Sequence, residues 1–160
     1  MSLKKTNAAR FLDTLKLPYE MTSYEVDEND LSAVHAAHAL GVDEASVFKT
    51  LVARTEANHL VVACIPAADE IDLKALARIA KVKRCELVAV KELLGLTGYI
   101  RGGCSPFAMK KTFPTFVDAT VSHHEKIYVS AGLRGVQLCI SPTVLLQATK
   151  ALCEPLTKSI

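Results

Sequence analysis

The chain has 160 residues, half of them hydrophobic and 22% charged, with a formal net charge of +2. That balance belongs to a packed globular protein, excludes a disordered or collagen-like chain, and is too near neutral for bulk coating of nucleic acid, leaving open a local basic face. The length suits one domain, residues 1–160, able to bury roughly two thirds of its unfolded surface.

In residues 6–15 the apolar Ala8, Phe11, Leu12 and Leu15 recur at helical spacing until Pro18 stops the pattern. Residues 19–26 are rich in β-formers and end in Asp27-Glu28-Asn29-Asp30, which predicts a strand and a turn. A helix over residues 32–40 follows, with Ser32 as N-cap and Gly41 as its stop. Two strands come next, 47–53 and 59–65, and the second is apolar at every position after His59, as in a strand buried on both faces. Asp72 caps a helix to about Ala80, whose Leu73, Leu76, Ala77 and Ala80 form one apolar stripe. A short strand over 85–88, a helix over 90–94 and a glycine-rich region over 95–103 lead to a strand over 115–121. Residues 126–130 and 136–140 flank Ala131-Gly132-Leu133-Arg134-Gly135, a hairpin with a five-residue loop, and a helix over 142–152 closes the chain. With no repeat, low-complexity segment or linker, the expectation is a single compact α/β domain with a mixed, barrel-like β-sheet surrounded by helices.

The N-terminus is polar and basic without an apolar signal core, and the longest apolar run, residues 60–65, is far too short to cross a bilayer. A cytoplasmic protein without membrane association is expected; Met1-Ser2-Leu3 reads either as a vector remnant or as an authentic start and is given no role. Five cysteines, an odd number with no Cys-x-x-Cys, point to neither a disulfide framework nor a zinc ribbon. Cys64 and Cys139 lie in apolar runs and read as small core residues.

Lys49 shares a strand face with Val47, Leu51 and Ala53, so it must be paired, lose its charge or point into a polar cleft. The alternative is an edge strand from which Lys49 reaches water. In Gly102-Gly103-Cys104-Ser105-Pro106, adjacent glycines permit a conformation in which backbone N–H groups converge on an anion, and Pro106 holds Ser105 extended; an ordinary tight turn is the plainer reading. Cys104 is a nucleophile only if His123 or His124 serves as its base. His35 and His38 share a helix face without further metal ligands in evidence, so no metal or cofactor is expected. Lys74, Arg78 and Lys81, with Lys83, Arg84, Lys110 and Lys111 close in sequence, form either a landing stripe for phosphates or a solvated face.

Four segments in order resemble the YbaK/EbsC family: Val47-Phe48-Lys49-Thr50-Leu51; Gly98-Tyr99 with Gly102-Gly103-Cys104-Ser105-Pro106; Lys110-Lys111 with Pro114-Thr115 and Asp118; and residues 128–135. These are aminoacyl-tRNA deacylases related to the editing domain of bacterial prolyl-tRNA synthetases. The resemblance covers residues 6–152, and it implies the family's α/β fold and removal of cysteine from tRNA(Pro), with prolyl-tRNA synthetase as a partner. It implies catalytic roles for Lys49, Gly102, Gly103 and Ser130, with Lys49 anchoring the 3′-terminal adenosine or its phosphate. Tyr24, Thr50, Cys104, Ser105, Pro106, Gly132 and Arg134 would bind substrate, Cys104 without being a nucleophile. Ala131 and Gln137 depart from the family pattern, which leaves deacylation of another small amino acid such as alanine open. A non-catalytic tRNA-binding or synthetase-associated module is the reading from another class.

Overall fold

Local signals in the sequence place most element ends. In a computed structural model describing residues 3–158, α1 (Asn7–Thr14) begins where the Thr6 hydroxyl accepts from the Ala9 N–H, and it buries Ala8, Ala9 and Leu12. Met1 and Ser2 of the opening tripeptide lie outside the described residues. β1 (Glu20–Ser23) is shorter than the expected 19–26, because its partner gives out: its last pair is Ser23 with Val136, the first residue of that strand. Ser32 caps α2 (Ala33–Leu40), and Gly41 ends it in the left-handed region at φ 72°.

β2 (Phe48–Thr55) and β3 (Leu60–Pro66) form an antiparallel hairpin, and β3 is buried from Val61 to Pro66, as its unbroken apolar run requires. Asp72 caps α3 (Leu73–Ala80), whose Leu76 and Ala77 pack on Ala53, Val61, Ala63 and Ile65. β4 (Cys85–Leu87) adds to β2 from Ala53 to Thr55. α4 (Val90–Thr97) runs past the expected 94 until Gly98 stops it at φ 90°.

β5 (Thr115–Asp118) ends short of the expected 121. The Asp118 carboxylate accepts from the Thr120 N–H and hydroxyl, and this turns the chain into a 3₁₀ helix over Ala119–His123. β6 (Ile127–Ser130) and β7 (Val136–Ile140) make the expected hairpin. α5 (Pro142–Thr149) stops before 152, and the following β8 (Leu152–Glu154), which no sequence pattern announces, pairs in parallel with β5. Asp118 holds this last segment by accepting from the Leu156 N–H at 2.8 Å.

The result is a single compact α/β domain with mixed pairing, but the sheet is not one closed barrel. The orders are β1-β7-β6 and β4-β2-β3-β5-β8, with β3/β5 and β5/β8 parallel. The larger core lies between the two sheets, α1 and α5, around Phe48, Phe107, Val117, Ile127 and Leu138. Among the described residues a single bridge, Val47 to Tyr128, joins the sheets. Among the described residues β6 meets this strand only at Val47, just before β2, and β4 pairs with it only from Ala53, with the Val88 N–H donating to the Val52 carbonyl at 3.0 Å, so residues 48–51 lack a ladder partner away from β3. Among the described residues no helix is long and apolar enough to cross a membrane.

Candidate active site

That gap in the pairing of β2 opens on a cavity of about 360 Å³. Its walls come from β2, the start of α2, the approach to α4 and the glycine loop. Tyr24, Lys49, Thr50, Gly102, Cys104 and Ser130 all line it, although the sequence spreads them over more than 100 positions.

Lys49 is the pivot. β2 is interior in the sheet order, so the edge-strand alternative does not apply, yet the local gap leaves Lys49 half-buried in the cavity. Its Nζ donates to the Ala67 carbonyl at 2.9 Å. Burial lowers its pKa from the ordinary lysine value, while the nearby charges of Asp69 and Glu70 act in the opposite direction. One N–H of the ammonium is engaged, which leaves two for a ligand.

The two loop glycines divide their work. Gly102, at φ 84°, lines the cavity, and its N–H has no acceptor among the described residues. Gly103 lies behind it: its N–H donates to the Ile100 carbonyl at 2.9 Å, and an added Cβ would stand 3.1 Å from the Arg134 backbone nitrogen. The expected convergence of both glycine N–H groups on one anion is therefore not formed; Gly103 closes a turn. Ser130 supplies a different donor. Its hydroxyl oxygen accepts from the Gly132 N–H at 3.1 Å, which leaves its hydrogen for an acceptor in the cavity.

Four other expected site residues stand outside the lining and brace it. Ser105 is fully buried, and its hydroxyl accepts from the Phe107 N–H; Pro106 is buried beside it. Gly132, at φ 100°, lies against Tyr99, whose ring an added Cβ would meet at 2.8 Å, and the Tyr99 hydroxyl donates to the Phe107 carbonyl. Arg134 donates to the Arg101 carbonyl at 2.9 Å and pairs with Glu28 at 3.1 Å, clasping the glycine loop to the β6–β7 hairpin and to the segment before α2. The sequence marks the motif but not which members face inward.

Cys104 faces the cavity with its thiol pushed up to about 12 by burial, which suits a wall and not a thiolate nucleophile. His124 packs edge-on to Phe48. His35 and His38 do not act as a pair. His38 bonds the exposed Glu44 at 3.2 Å, whereas the His35 ring stands edge-on to Tyr24 with a buried, unpartnered Nε2. Among the described residues no cluster of three or more His, Cys, Asp or Glu is arranged to hold a metal.

Sequence reasoning missed the apolar wall of Leu87, Val88, Val90 and Leu93, and also Arg101 and Gln137 as cavity residues. Arg101 was marked only by adjacency to the glycines. Gln137 is 6% exposed, and its Oε1 has no hydrogen-bond partner among the described residues, an unmet acceptor that a bound donor would satisfy. Among the described residues no carboxylate lines the cavity.

Residues 27–148 match the family described as the aminoacyl-tRNA editing domain. A relative from Enterococcus faecalis, provisionally named Cys-tRNA(Pro)/Cys-tRNA(Cys) deacylase EbsC, is 42% identical over 91% of this chain and 89% of its own. Two solved structures share the fold. One is the hypothetical protein APE2540, with a TM-score of 0.85 and 24% identity over 93% of this chain and 97% of its own. The other is provisionally described as a trans-editing enzyme for prolyl-tRNA synthetase, with a TM-score of 0.83 and 20% identity over 98% of this chain and all of its own.

Proposed function

We propose that this chain, which belongs to the aminoacyl-tRNA editing-domain family and to its YbaK/EbsC group, removes cysteine from mischarged tRNA(Pro) as one domain acting in trans. The observation that carries the reading is Lys49, a half-buried cation with two free N–H groups in a small cavity whose described lining holds a second cation, Arg101, and no carboxylate. A cation so placed suits the terminal phosphate or ribose oxygens of a tRNA 3′ end. The ester carbonyl would then lie against the Gly102 N–H and the Ser130 hydroxyl, and the α-ammonium would donate to Gln137 Oε1. The partly buried apolar residues Val88 and Leu93 would limit water at the reacting ester.

Among the described residues lining the cavity none is an activated nucleophile, so the substrate supplies one. The cysteinyl sulfur attacks its own ester carbonyl, a C–S bond forms, and the bond from carbonyl carbon to ribose oxygen breaks. The thiol proton passes to the departing ribose oxygen, giving a cyclic thiolactone and tRNA with a free terminal hydroxyl. Holding thiol and carbonyl together exploits effective molarities that reach about 10⁵–10⁸ M in well-oriented intramolecular reactions. Loss of one oxyanion donor typically costs about 10²–10³ in rate. With a net charge of only +2, selection of tRNA(Pro) falls to a partner, for which prolyl-tRNA synthetase in the cytoplasm is the natural choice.

A deacylation panel of Cys-, Ala- and Pro-tRNA(Pro), with product identification, tests this. Release of the thiolactone from the cysteinyl ester alone is expected. Equal release of alanine would defeat the thiol mechanism, and no release from any substrate would defeat the deacylase reading.

A further inference from the structure

A second cavity, of about 670 Å³, lies where the β2–β3 turn, the end of α3, the end of α4 and the loop before β5 meet. It is larger than the Lys49 cavity, and none of the residues already assigned to that site lines it. Its floor is apolar and partly aromatic, with Leu60, Val82, Leu96 and Phe113, while His59, Lys110 and Lys111 supply its ionisable groups. Among the described residues no carboxylate lines it. Lys110 is held in place: its stem packs on Gly98 and its Nζ donates to the Gly95 carbonyl at 3.2 Å, at the end of α4. An apolar, partly aromatic lining beside two lysines, one of them held in place, with no carboxylate among the described lining residues, suits a base and its phosphate together.

The position relative to Lys49 narrows the ligand. Thr55, on the same strand as Lys49, lines the second cavity, so about six residues of β2, or about 20 Å, separate the two. α4 bridges the same interval, with Val90 and Leu93 in the first cavity and Gly95 and Leu96 in the second. Single-stranded RNA covers that span in at most about six stacked nucleotides, and fewer when extended.

We infer that the second cavity binds a nucleotide of the unpaired 3′ end of tRNA, upstream of the terminal adenosine, with its phosphate at Lys110 and Lys111 and its base on Phe113. This rests on the deacylase reading for the identity of the RNA, though not for the existence of the site. The basic residues singled out in the sequence are thereby divided: Lys110 and Lys111 reach a ligand, while Lys74, Arg78 and Lys81 line neither cavity.

Two assays test it on the full chain, using the double variant Lys110→Glu, Lys111→Glu and, separately, Phe113→Ala. The first measures binding of a fluorescent pentaribonucleotide ending in CCA. Each variant is expected to raise Kd about tenfold with an unchanged melting temperature, and the double variant to flatten the dependence of log Kd on log salt by about 1 to 2. The second compares steady-state deacylation of Cys-tRNA(Pro) with that of 3′-cysteinyl adenosine, which lacks the upstream nucleotides. KM should rise about tenfold on the tRNA alone, with kcat unchanged. Unaltered oligonucleotide binding in both variants, or equal loss on both substrates, would overturn the inference. So would competition by AMP at these lysines without any effect on the oligonucleotide, which would make the cavity a site for free nucleotides. If the wild-type chain deacylates nothing, the deacylase reading fails, and the binding assay still decides the cavity.

Discussion

Replacing Lys49 by methionine keeps the length of the side chain and removes only its charge and donors. In the folded chain one N–H already bonds the Ala67 carbonyl, so at most two remain for substrate. A hydrogen bond to a charged group is worth about 1.5–3 kcal/mol net, and about 1.4 kcal/mol is tenfold in rate. One lost substrate bond therefore predicts a fall in kcat/KM of about 10-fold to 10²-fold, and two predict up to about 10⁴-fold. Stability should not fall, since burial lowers the pKa of Lys49 and the protonated form is the one the fold disfavours. The sign follows: between the lowered folded-state pKa and the unfolded value of about 10.4, the unfolded chain binds more protons, so the wild type gains stability as pH rises through that window. Below it the penalty is complete, and Lys49→Met should melt no lower than the wild type. Release of amino acid from aminoacyl-tRNA, with thermal melts at pH 7 and pH 10, reads both quantities. Near-wild-type turnover would refute the anchoring role, and a melting temperature much below wild type at pH 7 would refute the burial argument.

Gly132→Ala places a methyl group 2.8 Å from the Tyr99 ring at φ 100°. It should cost about 1–3 kcal/mol, seen by calorimetry as a loss of several degrees in Tm, with activity falling as the glycine loop shifts. Asp118→Ala strips the acceptor from the Leu156 N–H and from Thr120, so a loss of about 2–3 kcal/mol in denaturant melts is expected, with kcat unchanged in the folded fraction. Iodoacetamide at pH 7.5 should label the exposed Cys153 before Cys104, whose thiol is held near 12, and mass spectrometry of the modified peptides checks the order. Cys104→Ala should retain most activity; a loss beyond tenfold would return Cys104 to the mechanism.

Much of the fold was legible because it is written locally. Thr6, Ser32, Asp72 and Ser141 each accept from a backbone N–H at the start of a helix, and Gly41 and Gly98 end helices in the left-handed region. The errors arose where a distant partner decides. β1 ends because β7 ends, β5 is cut by the bonds of Asp118, and β8 exists only because β5 offers an edge. Residues 152–154 are too short and too exposed to carry a periodic signal. The expected mixed α/β fold is there; the extent of sheet closure was illegible for the same reason, since nothing near Val47 in sequence tells how far β6 will reach.

The site obeys the same division. Periodicity put Lys49 on an apolar face, but only the missing ladder beside residues 48–51 turns that face into a cavity, and that gap is set by Tyr128 and by Leu87 and Val88, far away in the chain. The glycine loop shows how one motif can mix two kinds of constraint. Gly102 lines the cavity with its N–H left without an acceptor among the described residues, whereas Gly103, Ser105 and Gly132 must be small or buried so that the loop, Tyr99 and the β6–β7 hairpin fit together. A short motif records both demands without distinguishing them. Substitution separates them: changes at the bracing positions should lower Tm and activity together, whereas changes at Lys49 or Ser130 should lower activity while leaving Tm in place.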